Sequence, residues 1–221
     1  MSINIEFADR LKELPPYLFV EIDKAKRAAM AQGRDVINLG IGDPDYPTHQ
    51  PIIDAMKKAL DDGNNHHYAL DAGLPALRQE IARWFQGRFN VALNSDTEIY
   101  PLIGSKEGLA HLPFGIINPK DKVALTDPAY PAYRPALLFA CAKIVPVPLK
   151  ASQGFVPDLA KIEKIKDLKM IFINYPNNPT AVTAPREFYQ GLVDLARGKG
   201  FIIVSDMAYS EVYFDNEKPV S

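Results

Sequence analysis

Four short stretches place polar or aromatic side chains directly after apolar runs. They are Gly104-Ser105-Lys106-Glu107-Gly108, Asp127-Pro128-Ala129-Tyr130, Tyr175-Pro176-Asn177-Asn178-Pro179-Thr180 and Asp206-Met207-Ala208-Tyr209. Each offers a distinct chemistry. In the first, free N–H groups at a helix start attract anions and glycine permits close approach, so a phosphate fits there. The plain alternative is that Ser105 simply caps the helix. The glycine and lysine spacing is not that of a P-loop. In the fourth, Asp206 closes an apolar run, where a carboxylate is costly unless paired. It either holds a cationic ligand nitrogen or caps a helix, and Tyr209 points a phenol towards the same place. Asn178 lies between Pro176 and Pro179, which restrict the backbone and aim its amide; a tight Asn-Pro turn is the simpler reading. Tyr130, between Pro128 and Pro131, presents a rigid aromatic face or an ordinary packed ring.

The elements that position these stretches alternate. Strand-like runs cover residues 98–103, 122–126, 143–149, 169–174 and 201–205, and helical patterns begin near Ser105, Tyr130, Asp158 and Pro185. Met170-Ile171-Phe172-Ile173 and Phe201-Ile202-Ile203-Val204 are apolar without a break, as suits strands covered on both faces. The predicted class is α/β, a mostly parallel sheet flanked by helices. Ligands in such sheets bind beyond the carboxyl ends of the strands, which is where all four stretches fall. Upstream, residues 17–31 carry Leu18, Ile22, Ala25 and Ala29 at helical spacing. Two amphipathic helices follow, one with the stripe Ile52, Ile53, Met56 and Leu60, the other with Leu77, Ile81, Trp84 and Phe85. Trp84 and Phe85 are expected to pack in the core.

Bulk properties narrow the function classes. The chain has 221 residues, 47% hydrophobic and 24% charged, an ordinary globular composition. A formal net charge of −2 supplies no basic excess for a phosphate backbone, so no nucleic-acid partner is expected. The single cysteine, Cys141, allows no intrachain disulfide. The start Met1-Ser2-Ile3-Asn4-Ile5-Glu6 lacks the pattern of a signal peptide. The apolar stretch 136–149 is interrupted by Lys143, Pro146 and Pro148, so no membrane partner is expected and a cytoplasmic location is the default. No metal-ligand spacing stands out.

Taken in order, these stretches closely resemble the class I/II, fold-type-I aminotransferases. The likeness runs from Leu14-Pro15-Pro16-Tyr17 to Asp206-Met207-Ala208-Tyr209-Ser210-Glu211. Within that family, three phrases are most similar to LL-diaminopimelate aminotransferases: Leu39-Gly40-Ile41-Gly42-Asp43-Pro44-Asp45, Leu102-Ile103-Gly104-Ser105-Lys106-Glu107-Gly108, and Asn174-Tyr175-Pro176-Asn177-Asn178-Pro179-Thr180. Alanine and glutamate–pyruvate aminotransferases share much of this wording. The resemblance implies a pyridoxal 5'-phosphate cofactor, amino-acid and 2-oxo-acid substrates, and a homodimer with shared active sites. It implies that Ser105 and Lys106 bind the cofactor phosphate, that Tyr130 stacks on the pyridine ring, and that Asn178 and Tyr209 bond its phenolic oxygen. Asp206 would pair with the ring nitrogen and keep it protonated. Tyr17 and Gly42 match substrate-contacting positions. Tyr68 matches a tyrosine that reaches the phosphate of the neighbouring subunit.

Three departures bear on this. Members of the family usually carry glycine after Asn-Pro-Thr, where this chain has Ala181; if that backbone needs positive φ, alanine adds strain. After Tyr68 the chain reads Ala69-Leu70-Asp71-Ala72-Gly73, where related diaminopimelate enzymes tend to have Pro-Ser. The family's Ser-x-Ser-Lys segment, which carries the Schiff-base lysine, falls beyond Ser221, so no catalytic residue is assigned here. The expectation is therefore an N-terminal arm and helix in residues 1–40 and the first part of the cofactor-binding large domain in 41–221. The C-terminal small domain would be absent and the chain inactive alone. A pseudo-enzyme or interaction module, or another fold-type-I reaction such as a lyase, are the competing readings.

Overall fold

The computed structural model describes residues 5–40, 42, 44–68 and 72–220. Ala69, Leu70 and Asp71 of the departure noted above, and Ile41 and Asp43 of the glycine-rich phrase, lie outside the described residues. In chain order the helices are α1 (Asp9–Lys12), α2 (Leu18–Ala31), α3 (Gln50–Asp61), α4 (Pro75–Phe89), α5 (Ser105–Ile116), α6 (Tyr133–Phe139), α7 (Leu159–Glu163) and α8 (Arg186–Lys199). The strands are β1 (Lys122–Asp127), β2 (Lys143–Pro148), β3 (Leu168–Asn174) and β4 (Ile202–Asp206). The chain divides into two compact units, residues 16–101 and residues 102–221 with 1–15.

The larger unit holds a fully parallel sheet in the order β2-β1-β3-β4. Both faces are covered, which is why its strands read as unbroken apolar runs. Ile171 and Ile173 of β3 face a cluster with Ile162, Phe188 and Leu192 from α7 and α8. Met170 and Phe172 face the opposite cluster, with Leu109, Tyr133 and Leu137 from α5 and α6. Each of these β3 side chains is at most 1% exposed. Full burial of one such side chain is worth about 1.5–3 kcal/mol, so this central strand anchors the unit. The chain steps from β1 outward to β2, then crosses back to β3. This reversal opens a crevice at the carboxyl ends of β1 and β3.

Four of the five predicted strands form. Residues 98–103 do not: they carry the strand pattern, but the four-stranded ladder offers them no partner, and a strand without a ladder leaves its backbone groups unpaired.

In residues 16–101 all three predicted helices form, as α2, α3 and α4. Their burial differs from expectation. Trp84 is 48% exposed and packs edge-on against Phe85 and Phe89, with ring centroids 5.5 and 5.4 Å away. An aromatic cluster on the surface of α4 thus replaces the expected core. The stripe of α3 is also uncovered, with Ile52, Met56 and Leu60 all exposed. Arg78, in contrast, is buried. Its guanidinium donates to the carbonyls of Ala72, Gly73 and Ser95 and pairs with Asp96, tying the start of α4 to the loops on either side. No helix among the described residues is long and apolar enough to cross a membrane. No group of three or more metal-ligating side chains is found among them.

Candidate functional site

β3 and β4 end side by side: Asn174 and Asp206 are register partners and the last residues of their strands. Asp206 is partly buried, and its carboxylate accepts a 2.6 Å hydrogen bond from the Tyr133 hydroxyl at the start of α6. Tyr133 is fully buried. Burial first, and then the Asp206 carboxylate itself, push its phenol far above the usual tyrosine range. It therefore remains a neutral donor at any ordinary pH. Tyr133 thus engages Oδ2 of a carboxylate whose residue lines a cleft.

The second wall grows from the loop after β3. The Asn174 carboxamide bonds in two directions. Its Nδ2 donates to the Asp206 carbonyl at 2.9 Å, and its Oδ1 accepts from the Asn178 N–H at 2.7 Å. Asn177 closes the turn: its side chain donates to the Asn174 carbonyl and accepts from both the N–H and the hydroxyl of Thr180. The Asn178 Nδ2 in turn donates to the Tyr209 hydroxyl at 3.2 Å. The chain then turns through Ala181, whose φ of +60° lies in the left-handed region that favours glycine.

The third side is the start of α5. Gly104 is the N-cap, with φ +81°, so Ser105 is the first helical residue and not its cap. This corrects the simpler reading of Ser105. No side chain caps α5; Glu107 instead accepts from the N–H of Ile103, the residue before Gly104, at 2.8 Å. Gly108 lets the Leu102 side chain lie close: a Cβ there would be 2.5 Å from Leu102 Cδ1, and the leucine would have to move. The Lys106 ammonium sits 5.7 Å from the centre of the Tyr130 ring, within cation–π range. Tyr130 meets Tyr133 edge to face at 5.5 Å.

Ser105, Lys106, Tyr130, Asn178, Asp206 and Tyr209 line one cleft of about 100 Å³, together with Asn174 and Ala208. That volume is below the roughly 300 Å³ at which complete small-molecule pockets begin, so these residues make a floor and one wall. The donor set is graded. An ammonium and the N–H groups of a helix start stand at one end, a carboxylate held by a phenol at another, and an amide with a phenol between them. The set fits a flat heterocycle with an anionic arm, a polar oxygen and a protonated ring nitrogen.

Tyr17, Gly42 and Tyr68 belong to residues 16–101. Tyr17 precedes α2 and tilts its ring against Phe19, Gly42 is exposed, and Tyr68 is 90% exposed. Two residues that the sequence did not single out, Tyr133 and Asn174, hold Asp206 and Asn178 in place. A polar residue ending the apolar run 170–173 was the available signal for Asn174.

Comparison with known proteins identifies the family. The family model "Aminotransferase class I and II" matches residues 34–221. The chain is 51% identical over 218 residues to an LL-diaminopimelate aminotransferase of Aquifex aeolicus, covering 98% of this chain and 56% of that protein. It is 49% identical to another from Nitratidesulfovibrio vulgaris, covering 99% of this chain and 57% of that protein. Among solved structures, aspartate aminotransferase from Thermotoga maritima superposes with a TM-score of 0.86 at 32% identity, over 97% of this chain and 57% of that one. The Thermus thermophilus aspartate aminotransferase in complex with maleate gives 0.89 at 29% identity, over 98% and 57%. The chain thus spans little more than half the length of the relatives it matches. It belongs to the class I and II aminotransferase family.

Proposed function

We propose that this chain forms the cofactor-binding floor of a pyridoxal 5'-phosphate-dependent aminotransferase that uses LL-diaminopimelate as amino donor. The observation that carries the reading is the Asp206 carboxylate, held by Tyr133 in the same cleft as Tyr130, Asn178, Tyr209 and the start of α5. When bound, the cofactor supplies a protonated pyridine ring that withdraws electrons as an amino acid gives up its α-proton. The residues of this chain bind and orient it. Asp206 pairs with the ring nitrogen and keeps its proton in place. Tyr130 covers a ring face. Asn178 and Tyr209 bond the phenolic oxygen. Ser105, Lys106 and the N–H groups at the start of α5 take the phosphate.

Two relatives near 50% identity over nearly the whole chain support the diaminopimelate assignment. Tyr17 and Gly42 contact the substrate in this reading, and Tyr68 reaches the phosphate of a second subunit. Residues 41–221 form the first part of the large domain, and the enzyme is cytoplasmic.

The test is binding of pyridoxamine 5'-phosphate, which forms no adduct with surface lysines, followed by tyrosine fluorescence. It should bind at least tenfold more tightly than pyridoxamine, and Asp206→Ala should weaken it about tenfold, the worth of a charge-assisted hydrogen bond. Equal affinity for the two ligands sinks the site assignment. Amino transfer from LL-diaminopimelate to a 2-oxo acid, assayed at full family length, tests the substrate. Transfer from alanine but not from LL-diaminopimelate moves the assignment to the alanine type.

A further inference from the structure

We propose that Asn174 is a positioning residue that sets the spacing between the ring-nitrogen contact and the phenolic-oxygen contact. The inference rests on the cofactor reading above. Asp206 and Asn178 sit on different segments, the end of β4 and the loop after β3, and a ligand bridging them requires a fixed separation. The Asn178 side chain does not provide it, because its bond runs to Tyr209 and not to Asp206. Asn174 does. It is 2% exposed, and its one carboxamide grips the Asp206 carbonyl through Nδ2 and the Asn178 N–H through Oδ1. Both bonds go to backbone atoms of the two residues whose side chains face the ligand. A shift of Asn174 therefore moves both anchors, while a shift of either side chain alone does not move the other. The pair Asn174–Asp206 is in register at the strand ends, so the rigid sheet transmits the constraint. Asn177 braces the same loop from its far side through the Asn174 carbonyl and Thr180. The Asn174 side chain, buried and holding one backbone group through each of Nδ2 and Oδ1, acts on the two anchors and not on the ligand.

The test compares pyridoxamine 5'-phosphate with its 3-deoxy analogue, which lacks the phenolic oxygen, on the purified chain. The wild type should prefer the parent compound about tenfold, in line with one hydrogen bond to a charged oxygen. In Asn174→Ala the two affinities should come within about twofold, because the Asn178 amide and the Tyr209 hydroxyl no longer meet the oxygen. A merely structural role would weaken both ligands in proportion and leave the tenfold ratio standing, which overturns the proposal. Asn174→Asp keeps an acceptor for the Asn178 N–H and should retain most of the ratio; its collapse there also overturns the proposal. If neither variant folds, amide exchange of the wild type decides. The Asn178 N–H should be protected as strongly as the β3 ladder, and rapid exchange defeats the assignment. A wild type that binds neither compound defeats the cofactor reading itself, a separate outcome from an unchanged ratio.

Discussion

The Tyr133 hydroxyl donates a 2.6 Å hydrogen bond to Asp206 Oδ2 across 73 residues of sequence, joining the helix after β1 to the end of β4. The bond does two things. It satisfies a carboxylate that the end of an apolar strand would otherwise leave costly, and it fixes which oxygen a ligand meets. Removing either partner strands the other. Tyr133→Phe and Asp206→Ala should each lower stability by about 1–3 kcal/mol, and the double variant by less than their sum. Urea denaturation of the four proteins measures the coupling. Strict additivity would show that the contact contributes nothing.

The same burial makes the fold sensitive to alkali. Tyr133 and Tyr175 are both almost wholly buried, and burial is the leading cause that raises each phenol above its ordinary value of 10; Tyr189 is raised in the same way to about 12. Raised folded-state values mean that the unfolded chain loses protons first. Their contribution is complete below pH 10 and drains away as pH climbs above it, by up to about 1.4 kcal/mol per pH unit for each fully buried tyrosine. Denaturation midpoints between pH 9 and 11.5 should therefore fall steeply above 10. Tyr133→Phe combined with Tyr175→Phe should flatten that fall. An unchanged slope in the double variant would show that neither phenol titrates on unfolding.

How much of this was legible in the sequence depends on how local each signal is. Asp206, Asn178, Tyr130 and Tyr209 were readable because each polar or aromatic type follows an apolar run at a predictable strand end, and the sheet gathers those ends. Tyr133 was not, because its role arises from a contact 73 positions away and its own helix gives it only a core-like environment. Asn174 was read only as the last residue of the strand 169–174, and its two bonds depend on which segments lie alongside. The strand-like run at 98–103 misled for the same reason: β-propensity does not supply a ladder partner. The stripe of α3 was correctly read as amphipathic, but the sequence does not say what covers it.

Arg78 offers a test within residues 16–101. Its guanidinium is 10% exposed and donates to three carbonyls as well as to the exposed Asp96. The carbonyls, not the ion pair, hold the energy, since Asp96 is 76% exposed and an exposed charge contributes little. Arg78→Ala should cost about 2–4 kcal/mol, because it leaves three backbone acceptors without their donor. Asp96→Ala should cost under about 1 kcal/mol. Limited proteolysis should cut Arg78→Ala first near Ala72 and Gly73. Equal losses for the two variants would reverse the assignment.

Ala181 carries the clearest strain in the site loop. Its N–H donates to the Asn177 carbonyl at 2.7 Å, which holds φ at +60° at the turn that presents Asn178. A residue with a Cβ in that region costs about 1–2 kcal/mol, whereas glycine pays nothing there in the folded state. Glycine pays in the unfolded chain instead, about 0.5–1 kcal/mol of extra entropy. The difference leaves Ala181→Gly stabilised by about 0.5–1 kcal/mol. The midpoint in urea should rise with an unchanged slope, because the surface exposed on unfolding hardly alters. Ala181→Val should move the other way, since a branched side chain tolerates positive φ least. Because the Asn177–Thr180 and Asn174–Asn178 bonds flank the turn, relief of strain at Ala181 should leave ligand binding within about twofold. Destabilisation by glycine would show that the turn is not strained and that alanine is accommodated at no cost.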